Sequence, residues 1–327
     1  MRLATFNIES LDLPPRAHVP LETRMAVLRP ALERLAADVL CLQEVNAQHV
    51  PGRAERAFAA LDQLLAGTRY ATYHRAATTG PDKRGPADVH NLVTLSSSPF
   101  VAVREILHDL VPPLGYTLQT AEPKAAEASP IRCDRPMLMT TLDAGQGRAL
   151  TIVNLHLRAP LAAAVPGQKL APFVWKSVAG WAEGYFLSGV RRTAQALELR
   201  LLVDRLLDDD PDRLILVAGD FNAEDHETPL KIAVGAEEDT GNGALSARSL
   251  VVLDRGIAAD RRWSVLHHGR PQMLDHLLAS RALLGHFRSI EVHNEALGDE
   301  AIGYAKVKTP PGSYHAAVVA EFAFPGA

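Results

Sequence analysis

At 327 residues the chain could hold one large domain or two ordinary ones, and its 47% hydrophobic and 22% charged composition is that of a soluble globular protein. A formal net charge of −4 excludes the basic footprint of a dedicated duplex-binding protein, though not an enzyme that touches nucleic acid briefly. Cys41 and Cys133 can build no disulfide framework and lack metal-ligand spacing, and no run approaches the ~18 apolar residues of a membrane span.

The first predicted element is a strand over residues 2–8. No basic segment leads from there into an apolar run and a cleavage site, so a cytoplasmic location is expected. Residues 21–37 have helical spacing, with Met25, Leu28, Leu32 and Leu35 on one side. Val39-Leu40-Cys41-Leu42 is a continuous apolar run, as in a strand buried on both faces. A second amphipathic helix follows over 56–65, then strands over 92–95, 101–106, 137–142 and 150–155. Turn residues between several of these fit antiparallel neighbours. Residues 190–207 are the most helical stretch, stopped by Asp208-Asp209-Asp210-Pro211. Further strands are predicted over 214–217, 251–253, 263–266, 274–278 and 317–322. Segments 112–130 and 159–180 are rich in Pro, Ala and Gly and read as surface loops or lids. Strand signals continue on both sides of each, so one domain over residues 1–327 is expected, with these two as insertions.

Several short motifs place a polar residue at the end of a buried strand. Asn7 in Thr5-Phe6-Asn7-Ile8 could be a turn former. Glu44 in Leu42-Gln43-Glu44-Val45 is costly to bury unless it is paired or binds a cation, although an exposed edge would also accommodate it. His156 ends Val153-Asn154-Leu155-His156, where a lone His is more often a satisfied core residue than a catalytic one. Gly219-Asp220-Phe221-Asn222 is the most specific signal. A glycine lets the backbone turn, and an acid and an amide two residues apart can face one crevice, holding a nucleophile or metal and an oxyanion. Finally, Leu274-Asp275-His276 and Ser313-Tyr314-His315 supply an Asp that could orient a general acid/base His.

Together T-F-N-I, C-L-Q-E-V, N-L-H-L, G-D-F-N, L-D-H and S-Y-H, in this order, resemble the endonuclease/exonuclease/phosphatase superfamily of metal-dependent phosphoesterases. The stretch 263–280 also looks like the matching part of bacterial secreted-type nucleases of that superfamily. The resemblance implies a four-layered α/β sandwich, two mixed β-sheets face to face with helices outside, and a site at one end. It implies Glu44 as the main ligand of a Mg²⁺ or Mn²⁺ ion with Asn7 nearby, in line with the oxygen ligands such cations take. Asp220 and Asn222 would hold the attacking water and the phosphate, and His315, oriented by Asp275, would act as base or transition-state stabiliser. His156 matches branches with a second His facing the first, and argues mildly against the abasic-site endonucleases, which have Asn there.

One position departs from the pattern. The superfamily's Ser-Asp-His is Ser-Tyr-His here, with Tyr314 in place of an acid. Glu44 alone could suffice for one ion; Glu9, Asp134 or Asp254 could substitute; or catalysis could be lost, leaving a binding module. The expected activity is hydrolysis of phosphate esters by a phosphodiesterase or nuclease, with nucleic acid among the possible substrates. Small metabolites or lipid headgroups are the alternative, and no protein partner is implied. Arg135 could contact phosphate or make a surface salt bridge. His267 and His268, as strand neighbours, should point apart. Trp175, Trp181, Tyr185 and Phe186 could form an aromatic lid, or simply pack their insertion onto the body.

Overall fold

The computed structural model describes residues 1–14, 19–236, 241, 243–301 and 311–324. The chain begins with β1 (Arg2–Leu11), α1 (Leu21–Leu35), β2 (Val39–Val45), α2 (Ala59–Leu65), β3 (His74–Ala77), β4 (Asn91–Ser96) and β5 (Ala102–Ile106). There follow β6 (Leu114–Tyr116), β7 (Ser129–Ile131), β8 (Met137–Asp143), β9 (Ala149–His156), β10 (Lys169–Ala171), β11 (Val174–Trp175) and α3 (Val178–Asp209). The last third holds β12 (Leu214–Asp220), α4 (Thr228–Val234), β13 (Val251–Val252), β14 (Val265–His267), β15 (Arg270–Gln272), β16 (Asp275–Ala279), α5 (Arg281–Leu284), β17 (Phe287–Val292) and β18 (Val318–Phe322).

Two six-stranded mixed sheets, ordered β17-β18-β1-β2-β4-β3 and β13-β16-β12-β9-β8-β5, pack face to face. Side-chain alternation explains their uninterrupted apolar runs. In β2, Val39 and Cys41 enter the core between the sheets, while Leu40 and Leu42 pack under α1 and α2. In β12, Leu214, Leu216 and Ala218 face the opposite sheet, and Ile215 and Val217 pack under α3. The result is the expected order of helix, sheet, sheet, helix. No described helix is long and apolar enough to cross a membrane.

The sheets are joined by buried polar bonds as well as by apolar contact. Gln43 Nε2 donates to Asn154 Oδ1 at 2.8 Å, and Asn154 Nδ2 donates to the Leu42 carbonyl at 3.3 Å. Buried amides cost free energy unless paired, so these bonds fix the register of one sheet on the other, one layer below the site.

Three expectations change. Helix α3 begins at Val178 rather than near 190, because the Ser177 side chain accepts the Gly180 N–H at 2.9 Å and starts the helix. Segments 112–130 and 159–180 are not simple loops: β6 pairs with β7, and β10 with β11, as short antiparallel ladders. His267 and His268 do not diverge. His268 has φ +50 in the turn between β14 and β15, which brings the rings into an edge contact 4.9 Å apart.

Candidate active site

The predicted site residues come together at one end of the sandwich. β9 and β12 run parallel and β16 antiparallel to β12, so Asp220 has His156 as its register partner on one side and Asp275 on the other. Asn7 and Glu44 come from β1 and β2 of the facing sheet. Gly219 makes the close approach possible: a Cβ there would lie 2.0 Å from the Leu155 carbonyl oxygen on β9.

Asp220 is the hub. Its Oδ2 accepts from Asn7 Nδ2 at 3.1 Å and from Asn222 Nδ2 at 3.2 Å, and its Oδ1 accepts the Asn222 backbone N–H at 2.8 Å. Two imidazoles flank the same Oδ2, His156 Nε2 at 3.3 Å and His315 Nε2 at 4.0 Å. His315 Nδ1 meets Asp275 Oδ2 at 2.8 Å. The Asp275 backbone N–H is held in turn by Ser264 Oγ at 3.1 Å.

Glu44 reaches this cluster with one oxygen and is anchored by the other. Oε2 accepts from the Ser10 backbone N–H at 3.1 Å and its hydroxyl at 3.0 Å. Oε1 faces Asn7 Nδ2 at 3.4 Å and His156 Nε2 at 3.9 Å. Asn7 thus presents its amide N–H to both carboxylates, while its carbonyl accepts the Glu9 N–H at 2.9 Å. Glu9, Ser10, Glu44, His90 and Asn222 all have φ between +48 and +58. Such conformations are uncommon in residues other than glycine, and their concentration here fits a site whose geometry the surroundings enforce.

The two imidazoles carry opposite preferences. Burial works against charge on His315, but Asp275 and Asp220 outweigh it and hold its pKa well above the ordinary value. Burial, reinforced by Arg135 and His90, drives His156 well below, so it stays neutral. Burial and the Asp275 charge push Asp220 up to about 7. Burial also opposes ionisation of Glu44, yet His90, Arg135 and His315 outweigh it, and the carboxyl lies below its usual range.

The donor set fits a hard divalent cation. Glu44 Oε1 and Asp220 Oδ2 converge on Asn7, and Asp275 Oδ1 is buried with no hydrogen-bond partner among the described residues. Carboxylate oxygens without a thiolate suit Mg²⁺ or Mn²⁺. Donor atoms of Asp220, Asp275 and His315 also lie within 4.8 Å of one another, a grouping that could hold an ion. The Asp275–His315 bond and the positive charge on His315 make that trio better suited to proton chemistry.

Several residues that sequence reasoning set aside or missed stand here too. His90 Nδ1 lies 3.9 Å from Glu44 Oε2, and its ring meets that of His156 edge-on at 6.3 Å. Like Glu44 and His156 it is a polar residue at a strand boundary, just before β4, and that signal could have found it. Arg135 donates to the Leu157 carbonyl at 3.3 Å and lies close enough to Glu44 and Asp220 to feel their charge. Arg192 of α3 bonds the Asn222 carbonyl. Of the three acids considered in place of Tyr314, Asp134 pairs with Arg158 at 2.6 Å, and Asp254 is sequestered with His276 and Arg262. Glu9 alone reaches the Ser313-Tyr314-His315 turn.

A mixed α/β sandwich that gathers acids, amides and two histidines at one end defines a class of two-sheet α/β proteins with a polar site at the strand ends. Comparison with known proteins narrows it: residues 4–315 match the Endonuclease/Exonuclease/phosphatase family, and the chain belongs to that family. Its fold is similar to the endonuclease/exonuclease/phosphatase from Bacteroides vulgatus, with TM-score 0.58, 17% identity and 98% of each chain covered. It is also similar to truncated TDP2 from Caenorhabditis elegans, with TM-score 0.55, 16% identity and 98% and 96% coverage. An AP endonuclease from Archaeoglobus fulgidus gives TM-score 0.54, 15% identity and 99% and 100% coverage. No curated protein matches significantly.

Proposed function

We propose that this chain is a divalent-metal-dependent phosphoesterase, a phosphodiesterase or nuclease in reaction class. The single observation that carries the reading is the arrangement of two imidazoles, His156 and the Asp275-bonded His315, on either side of the buried Asp220 carboxylate. A cation held by Glu44, with Asn7 beside it, would supply Lewis-acid charge to the phosphate oxygens.

The protein's own groups divide the remaining work. Asp220, buried and titrating near neutrality, orients a water and accepts its proton as it attacks phosphorus. Asn222 fixes that carboxylate through two bonds. His315, kept charged by Asp275, faces the phosphate's developing negative charge with Nε2. His156 donates or accepts one hydrogen bond from the opposite side without adding charge.

Hydrolysis of bis-p-nitrophenyl phosphate with and without chelator tests this. Turnover that stops on chelation, returns with Mg²⁺ or Mn²⁺, and is lost in His315→Ala is the expected result. Normal turnover by the variant would remove His315 from the mechanism.

One observation favours a second reading, small phosphorylated molecules as substrates. A cavity of about 690 Å³ opens beside His90 and Arg135, with Lys83 and Arg158 also in its wall. Asp88, Glu105 and Asp134 share that wall, and the volume suits a compact ligand rather than a long polymer. Turnover compared across plasmid DNA, RNA and a panel of phosphomonoesters separates the readings.

A further inference from the structure

The N-terminal third of α3 and the hairpin before it are built inside out. From Ser177 to Val190 the only charged residue is Glu183, and it is buried, accepting from Gln119, Thr120 and Tyr116. Gly180, Gly184 and Leu187 are buried with it. The opposite face, turned to solvent, carries Val178, Trp181, Tyr185 and Phe186, a run at helical spacing. Val178 is 82% exposed, and Trp181 and Tyr185, stacked with centroids 5.3 Å apart, are each 44% exposed.

The β10–β11 hairpin leads straight into this helix and presents the same chemistry. Phe173 is 87% exposed and Leu170 70% exposed. Lys169 and Lys176 flank the tip; Lys176 is ion-paired with Glu122, and the Lys169 ammonium lies 4.6 Å from the centre of the Trp175 ring. Trp175 in turn packs on Gly184, where a Cβ would come within 2.9 Å of the indole. The hairpin is therefore seated on the helix rather than trailing from it. Residues 157–191 contain four cations against one acid, the buried Glu183; Arg158 is paired with Asp134 and Lys176 with Glu122, which leaves Lys169 and Arg191 without an acidic partner among the described residues.

Soluble proteins seldom expose large apolar patches without a partner. Exposed Phe and Leu beside Trp and Tyr, rimmed by lysines whose stems can reach along apolar surface, is the composition of a surface that lies in a bilayer interface. A twofold contact between copies would set the same lysine-flanked patch against itself. We infer that the β10–β11 hairpin and the first turns of α3 form a docking surface for an anionic phospholipid membrane. The same helix carries Arg192, bonded to the Asn222 carbonyl, so the surface is rigidly tied to the candidate active site. The inference does not depend on the proposed reaction.

The full chain would be mixed with vesicles of phosphatidylcholine alone, and of phosphatidylcholine with an equal part of phosphatidylglycerol. The expected result is co-sedimentation that is stronger with phosphatidylglycerol and weakened by salt. A blue shift of tryptophan emission should accompany it, since Trp175 and Trp181 are two of the three tryptophans. Phe173→Ser combined with Trp181→Ser should weaken partitioning at least about tenfold, because each buried aromatic contributes on that scale. Its melting temperature should be unchanged, while Val101→Ser, exposed elsewhere on the surface, should bind like the wild type. Failure of the wild-type chain to bind either vesicle overturns the inference, as does binding unaffected by the double substitution. A dimer in sedimentation equilibrium that the same double substitution dissociates would assign the surface to a second copy instead.

Discussion

Glu9 Oε2 accepts the backbone N–H of Tyr314 at 2.6 Å, placing a carboxylate at the turn where the superfamily pattern has an aspartate side chain. The Tyr314 ring is directed elsewhere, against Gly298. Glu9 is buried, bonded through its backbone N–H to Asn7, and close enough to His315 to help hold that imidazole charged. A carboxylate from β1, two residues beyond Asn7, therefore stands at the turn whose sequence has tyrosine in place of the superfamily acid.

If Glu9 contributes that charge, Glu9→Gln should weaken Mg²⁺ binding by roughly tenfold, the effect of one nearby charge at intermediate dielectric. Gln keeps an oxygen for the Tyr314 N–H, so the turn should survive. Calorimetric titration with Mg²⁺ measures this directly. An unchanged affinity would mean that Glu44 manages the ion without Glu9.

The Asp275–His315 pair should behave as one unit. His315→Ala should lower kcat by about 10³-fold, within the span of positioned acid/base groups. Because Asp275 raises the His315 pKa, the imidazolium persists above the ordinary value and is lost only as pH rises through the raised one. Asp275→Asn removes that support, so the alkaline limb of kcat/KM should move to lower pH. A limb that stays in place would show that the charged form of His315 is not the working one. Adding Asp275→Asn to His315→Ala should cost little more than the single change.

What could be read from sequence follows from how local each feature is. β2 and β12 were legible because both faces are covered, leaving runs with no polar interruption. Glu44, Asp220 and Asn222 were legible because they break those runs at their ends. The start of α3 was not: its buried face carries Gly180, Glu183, Gly184 and Ser188 beside the one large apolar Leu187, and its exposed face carries aromatics, the reverse of the usual helical pattern. His90 was hidden for a different reason. Its importance lies in facing Glu44 and His156, which are distant in the chain. Glu9 could be named only as one of three acids, because choosing among them needs the turn at Tyr314 and the separate pairing of Asp134 and Asp254.

Gly219 carries a steric prediction. Its missing side chain lets β9 and β12 approach, and a Cβ 2.0 Å from the Leu155 oxygen cannot be absorbed by a rotamer change. Gly219→Ala must push the strands apart beside Asp220. It should cost roughly 3 kcal/mol of stability, at the upper end for overpacking, and lower turnover as well. Thermal denaturation with a parallel activity assay checks both; a variant that melts like the wild type would show that the strands are free to separate there.

A second buried histidine, His276, next to Asp275 in the chain but outside the Asp220 hub, tests the electrostatics of the same strand end. His276 Nδ1 meets Asp254 Oδ2 at 2.9 Å and its Nε2 meets the Ala223 carbonyl at 2.9 Å. Two acceptors, one on each ring nitrogen, require two N–H donors, so this imidazole is charged. Burial opposes the charge, but Asp254 outweighs it and raises the pKa, while His276 and then Arg262 hold Asp254 below its usual range against the same burial. The raised His276 value means that its stabilisation is complete below the unfolded pKa of about 6.5 and is lost as pH rises through the folded one. The Asp254 contribution has the opposite sense, present above about 3.9 and lost as pH falls through the lowered folded value. His276→Gln should therefore destabilise the protein by ~3 kcal/mol near pH 6, at the low end for breaking a buried pair because Arg262 still holds Asp254 at 2.7 Å. The gap in melting temperature should narrow as pH is raised from 6.5 towards 9. A gap independent of pH would mean that His276 is neutral in the folded protein and that the Asp254 contact is an uncharged hydrogen bond on the histidine side.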